Sequence, residues 1–214
     1  MNTLKRYIIF LFGLFISSFG VSLITKVSLG TSPISSIPYV LSLRFPLTLG
    51  NFTIIFSVFL VLLQLLILRK NFKFEHVLQL PISVLFGYFI DWTMMLLKEF
   101  HADSYLAKIF YLLLGCLVLA IGVYLEVLAN VAMLPGESFV RAVSSTWNWD
   151  FGTIKVIFDV SMTVIAALAS VLLLKHLDGV REGTVIAALL VGFMAKCIGR
   201  IISYLPQRHD NQTA

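Results

Sequence analysis

Charge is scarce in this chain: of its 214 residues 13% are Asp, Glu, Lys or Arg and 59% are apolar, with a mean hydropathy of +0.95. A soluble domain carries about 25% charged and about 45–50% apolar residues, so this composition does not supply a water-exposed surface. Cysteine is nearly absent. Cys116 and Cys197 stand inside apolar stretches without CxxC spacing or adjacent histidines, which supports neither a disulfide framework nor a zinc site and leaves both as packing residues. The four histidines, His76, His101, His176 and His209, fall at helix ends or tails. With no HExxH, no GxSxG and no Gly-rich phosphate loop, nothing reads as an enzyme, and neither a cofactor nor a metal is implied. The net charge of +5 comes from basic residues scattered singly and in pairs at the edges of apolar runs. That pattern excludes a nucleic-acid partner and matches the way membrane proteins use Lys and Arg.

What the chain does have is long apolar runs. Stretches of about 20 such residues match the roughly 30 Å hydrocarbon core of a bilayer. Six are read here as spans: Tyr7 to Ile24, Gly50 to Leu68, His76 to Leu97, Tyr105 to Leu128, Phe151 to Leu174 and Glu182 to Leu205. The first follows Lys5 and Arg6 but is too long for a signal-peptide core and lacks a clean cleavage site, so it is taken as a retained span. Short polar joints connect most of the runs. Two connections are longer, Thr25 to Leu49 and Ala129 to Asp150. They contain the proline turns Ser32-Pro33 and Leu134-Pro135-Gly136, each followed by a short helix too brief to span, and in the second of these Glu137 and Arg141 stand at i,i+4.

Sliding the chain by 102 residues aligns Gly13 with Gly115, Gly20 with Gly122, Pro33 with Pro135 and Gly50 with Gly152, with twelve identities over the fifty positions Leu11 to Leu60. The third helices need a further shift of three residues, which brings Gly87 to Gly192. The expected fold is therefore all-α: one polytopic membrane domain of six transmembrane helices plus two short half-helices, in pseudo-symmetric repeats at about 7–98 and 105–205. If the short helices are re-entrant, each half crosses an odd number of times and the second is inverted. If they cross, there are eight spans and parallel halves. Under the six-span reading, eight basic residues fall on one side and six on the other. Lys5-Arg6 and the Arg69, Lys70, Lys73 cluster place both termini in the cytoplasm.

The Gly-x6-Gly pattern of the first helix, the Leu29-Gly30-Thr31-Ser32-Pro33 turn and the Gly50 start of the next span resemble the YczE/YitT group of bacterial integral membrane proteins. The resemblance implies a multi-pass protein of the bacterial cytoplasmic membrane. It carries no catalytic residues over. No counterpart of the C-terminal soluble domain of YitT-like members follows Arg208, which points to the YczE-like branch.

Ionisable residues inside spans cost at least about 2.5–3.5 kcal/mol at a helix centre, so they mark candidate sites. Asp159 follows Lys155 by four residues and reads as a coupling or gating pair with it, a structural ion pair being the plain alternative. Asp91, Lys196 and Arg200 join this set, with Glu126 as a further carboxylate read as lying at the membrane surface. The first turns of the short helices present unpaired N–H groups suited to an anion. Thr31, Ser32, Ser35, Ser36, Gly136, Glu137, Ser138 and Arg141 are accordingly the expected substrate-binding residues, unless the two helices instead lie flat on the surface. Two functions follow: a secondary transporter or permease for a small, anionic solute bound between the repeats, or a non-transporting scaffold acting through a protein partner. The small residues of Gly13 to Gly20 and Gly115 to Gly122 permit close packing within one chain or between two, so a homo-oligomer stands beside the bilayer as an expected partner.

Overall fold

A computed structural model describes residues 3–72 and 74–204, and all regular structure among them is helical. The long helices are α1 (Thr3–Lys26), α3 (Leu49–Leu68), α5 (Gln79–Leu96), α6 (Tyr105–Ala129), α8 (Phe151–Leu174) and α9 (Glu182–Tyr204), with the shorter α2 (Pro33–Arg44), α4 (Phe74–Val77) and α7 (Pro135–Trp147) between them. Five stretches are long and apolar enough to cross a membrane: Thr3–Lys26, Leu49–Leu68, Tyr105–Ala129, Phe151–Leu174 and Glu182–Arg200. The expected third span, His76 to Leu97, is not one continuous helix. It is broken at Leu78 into α4 and α5, because Pro81 has no N–H to donate to the Val77 carbonyl. The remaining α5, with Gln79, Ser83, Asp91 and Thr93 in 18 residues, is not among those five.

The polarity of this bundle is reversed relative to a water-soluble one. Its outer faces are apolar, α8 alone exposing Val156, Val160, Val164, Leu168 and Leu172, while Ser18, Ser22, Thr25, Gln64 and Thr93 are fully buried. Hydrocarbon cannot hydrogen-bond a stray polar group, so such side chains turn inward and pair with one another. Among the described residues no buried side-chain nitrogen or oxygen lacks a partner. This is a multi-pass membrane protein.

At its centre α1 and α6 cross antiparallel along their glycines. A Cβ added at Gly20 would lie 2.6 Å from the Leu119 backbone nitrogen, and one at Gly13 would lie 3.0 Å from the Gly122 carbonyl oxygen. Leu14, Val21 and Ile24 of α1 meet Leu112, Cys116 and Leu119 of α6, with Phe86 and Ile90 of α5 completing the core. Arg6 closes the seam by donating to the Ala129 carbonyl at 2.9 Å and to that of Asn130, supplying a cation at the C-terminus of α6.

Around this seam the short helices cross over: α2 packs on α8 and α7 on α3. At 12 and 13 residues and 1.5 Å per residue they are about 18–20 Å long, too short for the roughly 30 Å core. The loop before α2 turns at Gly30, whose φ of +113° suits glycine. It is pinned to the start of α9, where the Gly183 N–H donates to the Leu29 carbonyl at 2.8 Å and the Thr31 N–H to Thr184 Oγ1 at 3.2 Å.

Candidate functional site

The N-termini of α2 and α7 meet inside the bundle. Ile34, in the first turn of α2, rests on Gly136, where a Cβ would overlap its Cδ1. Leu60, Val140, Ile154 and Phe158 pack around that contact. The expected polar residues at and before the start of α2 are all buried and already bonded within the protein: Thr31 Oγ1 bonds Thr25 Oγ1 at 2.8 Å, Ser32 donates to Ser35 at 3.0 Å, and Ser36 donates to the Pro33 carbonyl at 2.5 Å. They secure the turn instead of opening toward a cavity.

On α7, Ser138 joins a closed network that was not foreseen. Gln64 and Gln79 exchange amide hydrogen bonds at 3.2 Å, Gln79 donates to Ser138 at 2.8 Å, Ser138 donates to Gln64 Oε1 at 3.0 Å, and Gln64 donates to the Pro135 carbonyl at 3.1 Å. Two amides facing each other satisfy donor and acceptor together, so this polar knot is stable in a dry interior. Glutamine within an apolar run is the sequence signal for such a network, since an uncharged amide still needs partners in a dry interior.

Arg141 corrects its expected pairing with Glu137. It is exposed and donates to Met133 Sδ at 3.3 Å, and among the described residues no ion pair joins it to Glu137. Glu137 sits in the first turn of α7 and faces the charges of Lys155 and Asp159. Lys155 and Asp159 themselves form an ion pair at 2.6 Å, with side chains 33% and 14% exposed. Glu126 is not at the surface. It is 7% exposed within α6, accepts a hydrogen bond from Ser17 at 2.5 Å, and has Glu137 as its neighbouring charge. Three helices thus bring Glu126, Glu137 and the Lys155–Asp159 pair into one charged tract.

Asp91 lies apart from that tract. Its carboxylate accepts from Thr48 Oγ1 at 2.6 Å and from the Gly50 N–H at 2.8 Å, so it caps α3 from a neighbouring helix. Arg200 lies exposed on α9. The side chain of Lys196 falls outside the described residues, as do Lys73 and Arg208.

A cleft of about 470 Å³ opens where α1 and α5 end and α3 begins, lined among others by Lys26, Tyr39, Ser42, Leu43, Met94 and Met95. A smaller one of about 150 Å³ adjoins it through Ser28, Tyr39 and Leu43 and reaches Asp178 and Arg181. None of the expected substrate-binding residues lines either.

A family described as "Family of unknown function (DUF6198)" matches residues 4–200. The chain belongs to that family. It is 31% identical over 146 residues to "Uncharacterized membrane protein YczE" of Bacillus subtilis (strain 168), covering 68% of this chain and 66% of that protein. It is 25% identical over 190 residues to "Uncharacterized protein YyaS" of the same organism, covering 88% of this chain and 90% of that one. These relatives place the DUF6198 chain with the YczE-like membrane proteins that its Leu29 to Pro33 turn resembles. No solved structure matches.

Proposed function

We propose that this DUF6198 protein is a secondary transporter for a small solute, built of two inverted repeats that take turns in closing. The observation that carries the reading is an inequality between equivalent helix pairs. Gly50 of α3 is pressed against Gly87 of α5, whereas their repeat counterparts Gly152 and Gly192 do not meet: nothing approaches a Cβ at Gly192 within 4 Å. Two halves of similar sequence in different conformations are what alternating access requires. The antiparallel crossing of α1 and α6, the first helices of the two repeats, supports inversion. Short α2 and α7 support the six-span arrangement over eight.

Within this reading Asp159 and Lys155 are the coupling pair. A lysine engaged by its carboxylate at 2.6 Å exchanges that partner for Glu137 or for a solute as α7 and α8 move, and Glu126 extends the path toward α1. The first turn of α7 already holds an acid, Glu137, so the anion-binding N-terminus imagined from sequence is neutralised there. The Lys5-Arg6 cluster supports an orientation with both termini in the cytoplasm of a bacterial cell.

The test is flux in proteoliposomes loaded with a pH dye and challenged with a panel of small organic acids and neutral solutes. The wild type gives a solute-driven signal. Asp159→Asn loses it, by at least about 100-fold when a coupling charge is removed, while eluting as the same folded species. Undiminished flux in the variant removes Asp159 from the mechanism. No flux for any solute, together with a stable partner protein that co-purifies, replaces the transporter with the scaffold reading.

A further inference from the structure

We propose that the cleft at the end of α1 is a binding site for an organic monoanion with a short aliphatic body, held by the Lys26 ammonium. The cleft measures about 470 Å³, within the range of about 300–1,000 Å³ typical of small-molecule sites. Its lining is of two chemistries. Leu43, Leu47, Met94 and Met95 give it apolar surface, and Ser28 and Tyr39 add hydroxyl groups. Unbranched methionine side chains adapt to alkyl bodies of varied shape.

Two ionisable groups of opposite sign line the cleft, and they are not equivalent. Both oxygens of Asp91 are spent on α3, one on Thr48 Oγ1 and the other on the Gly50 N–H, so its charge is met by hydrogen bonds and by the positive end of the α3 dipole. Lys26 has no ion pair among the described residues and is half-buried at the rim. What remains unmet in the cleft is one positive charge in a partly apolar lining, and its complement is a carboxylate or phosphate ester on an alkyl chain. A lipid headgroup and a free organic acid share that chemistry. Occupancy does not depend on transport, so this site stands or falls separately from the proposed function.

The test measures binding to the purified full chain in nanodiscs of phosphatidylcholine, by calorimetry, with a series from acetate to octanoate and with octanamide as the neutral control. The carboxylates bind more tightly as the chain lengthens, and octanamide binds at least about tenfold more weakly than octanoate. Lys26→Gln weakens octanoate by a similar factor while Lys26→Arg retains it. Ser42→Asp, which adds a negative charge to the same cleft, weakens it as well. Loss of octanoate binding in discs containing phosphatidylglycerol assigns the ligand to anionic lipid, and undiminished binding assigns it to a free acid; both support an anion site. Absence of octanoate binding, or equal binding by wild type and Lys26→Gln, overturns the proposal.

Discussion

Under the repeat proposed above, the α3–α5 pair and the α8–α9 pair are counterparts, yet among the described residues only the first is closed. In the first, a Cβ at Gly87 would come within 2.7 Å of the Gly50 carbonyl oxygen, and one at Gly50 within 2.6 Å of the Asp91 carboxylate. In the second, α8 and α9 make no comparable contact among the described residues, and Gly152 has only its own neighbour Asp150 nearby. The difference traces to where one acid sits. Asp91 lies on α5 and reaches across to cap α3, tying two helices together. Asp150 is itself the N-cap of α8, accepting from the Thr153 N–H at 2.8 Å and from Thr153 Oγ1 at 3.0 Å, and so ties nothing to α9. A helix start that must borrow its acid holds a neighbour; one that owns its acid leaves the neighbour free.

The largest test of this contrast is steric. Gly50→Val forces α3 off α5, at a cost of about 1–3 kcal/mol for overpacking, read as a lower midpoint of thermal unfolding in detergent. Gly192→Val leaves that midpoint nearly unchanged. Equal midpoints for the two variants would mean that the first pair is not closed in solution. If the halves alternate, Gly192→Val still lowers solute flux, because it obstructs the closed form of the second pair.

Removing the borrowed acid is the next test. Asp91→Asn keeps the shape but weakens two hydrogen bonds to a helix N-terminus, with an expected loss of about 1–2 kcal/mol and faster hydrogen exchange at Gly50 and Asn51. An unchanged exchange rate would show that Thr48, which accepts from the Asn51 N–H at 3.1 Å, suffices as the cap.

The smallest effect is expected at Asp150, which is fully exposed. Hydrogen bonds from the Thr153 backbone and hydroxyl hold its carboxyl below the ordinary range. A depressed folded pKa gives stability that is present above the unfolded value of about 4 and is lost as pH falls through the folded one. The α8 start therefore frays only on acidification below about pH 4, and Asp150→Asn removes that dependence while leaving α9 untouched. An acid-sensitive α9 in the wild type would mean that the second pair is tied after all.

Much of the fold was legible because hydrocarbon imposes a simple rule on sequence. The runs from Phe151 to Leu174 and from Tyr105 to Leu128 became α8 and α6 with little change at their ends, since an uninterrupted apolar stretch in a membrane must satisfy its backbone as a helix. Pro33 and Pro135 marked the first turns of α2 and α7 because proline suits that position. The Lys155–Asp159 contact was legible for the same local reason, one helical turn separating the two. The break at Leu78 was missed, the apolar pattern there continuing across Pro81. The network of Gln64, Gln79 and Ser138 joins α3, α5 and α7, which no spacing along one helix reveals.

By itself the sequence determined the helices, their membrane setting and the glycines available for close approach, because backbone hydrogen bonding and side-chain size are properties of a single chain segment. Only the tertiary structure decided which glycines are used, that α2 packs on α8 and α7 on α3, that Glu126 is buried against Ser17, and that Lys26 and Asp91 share a cleft. Those outcomes depend on which helix faces meet. Between apolar helices in lipid, that choice rests on a few small or polar contacts far apart in the chain.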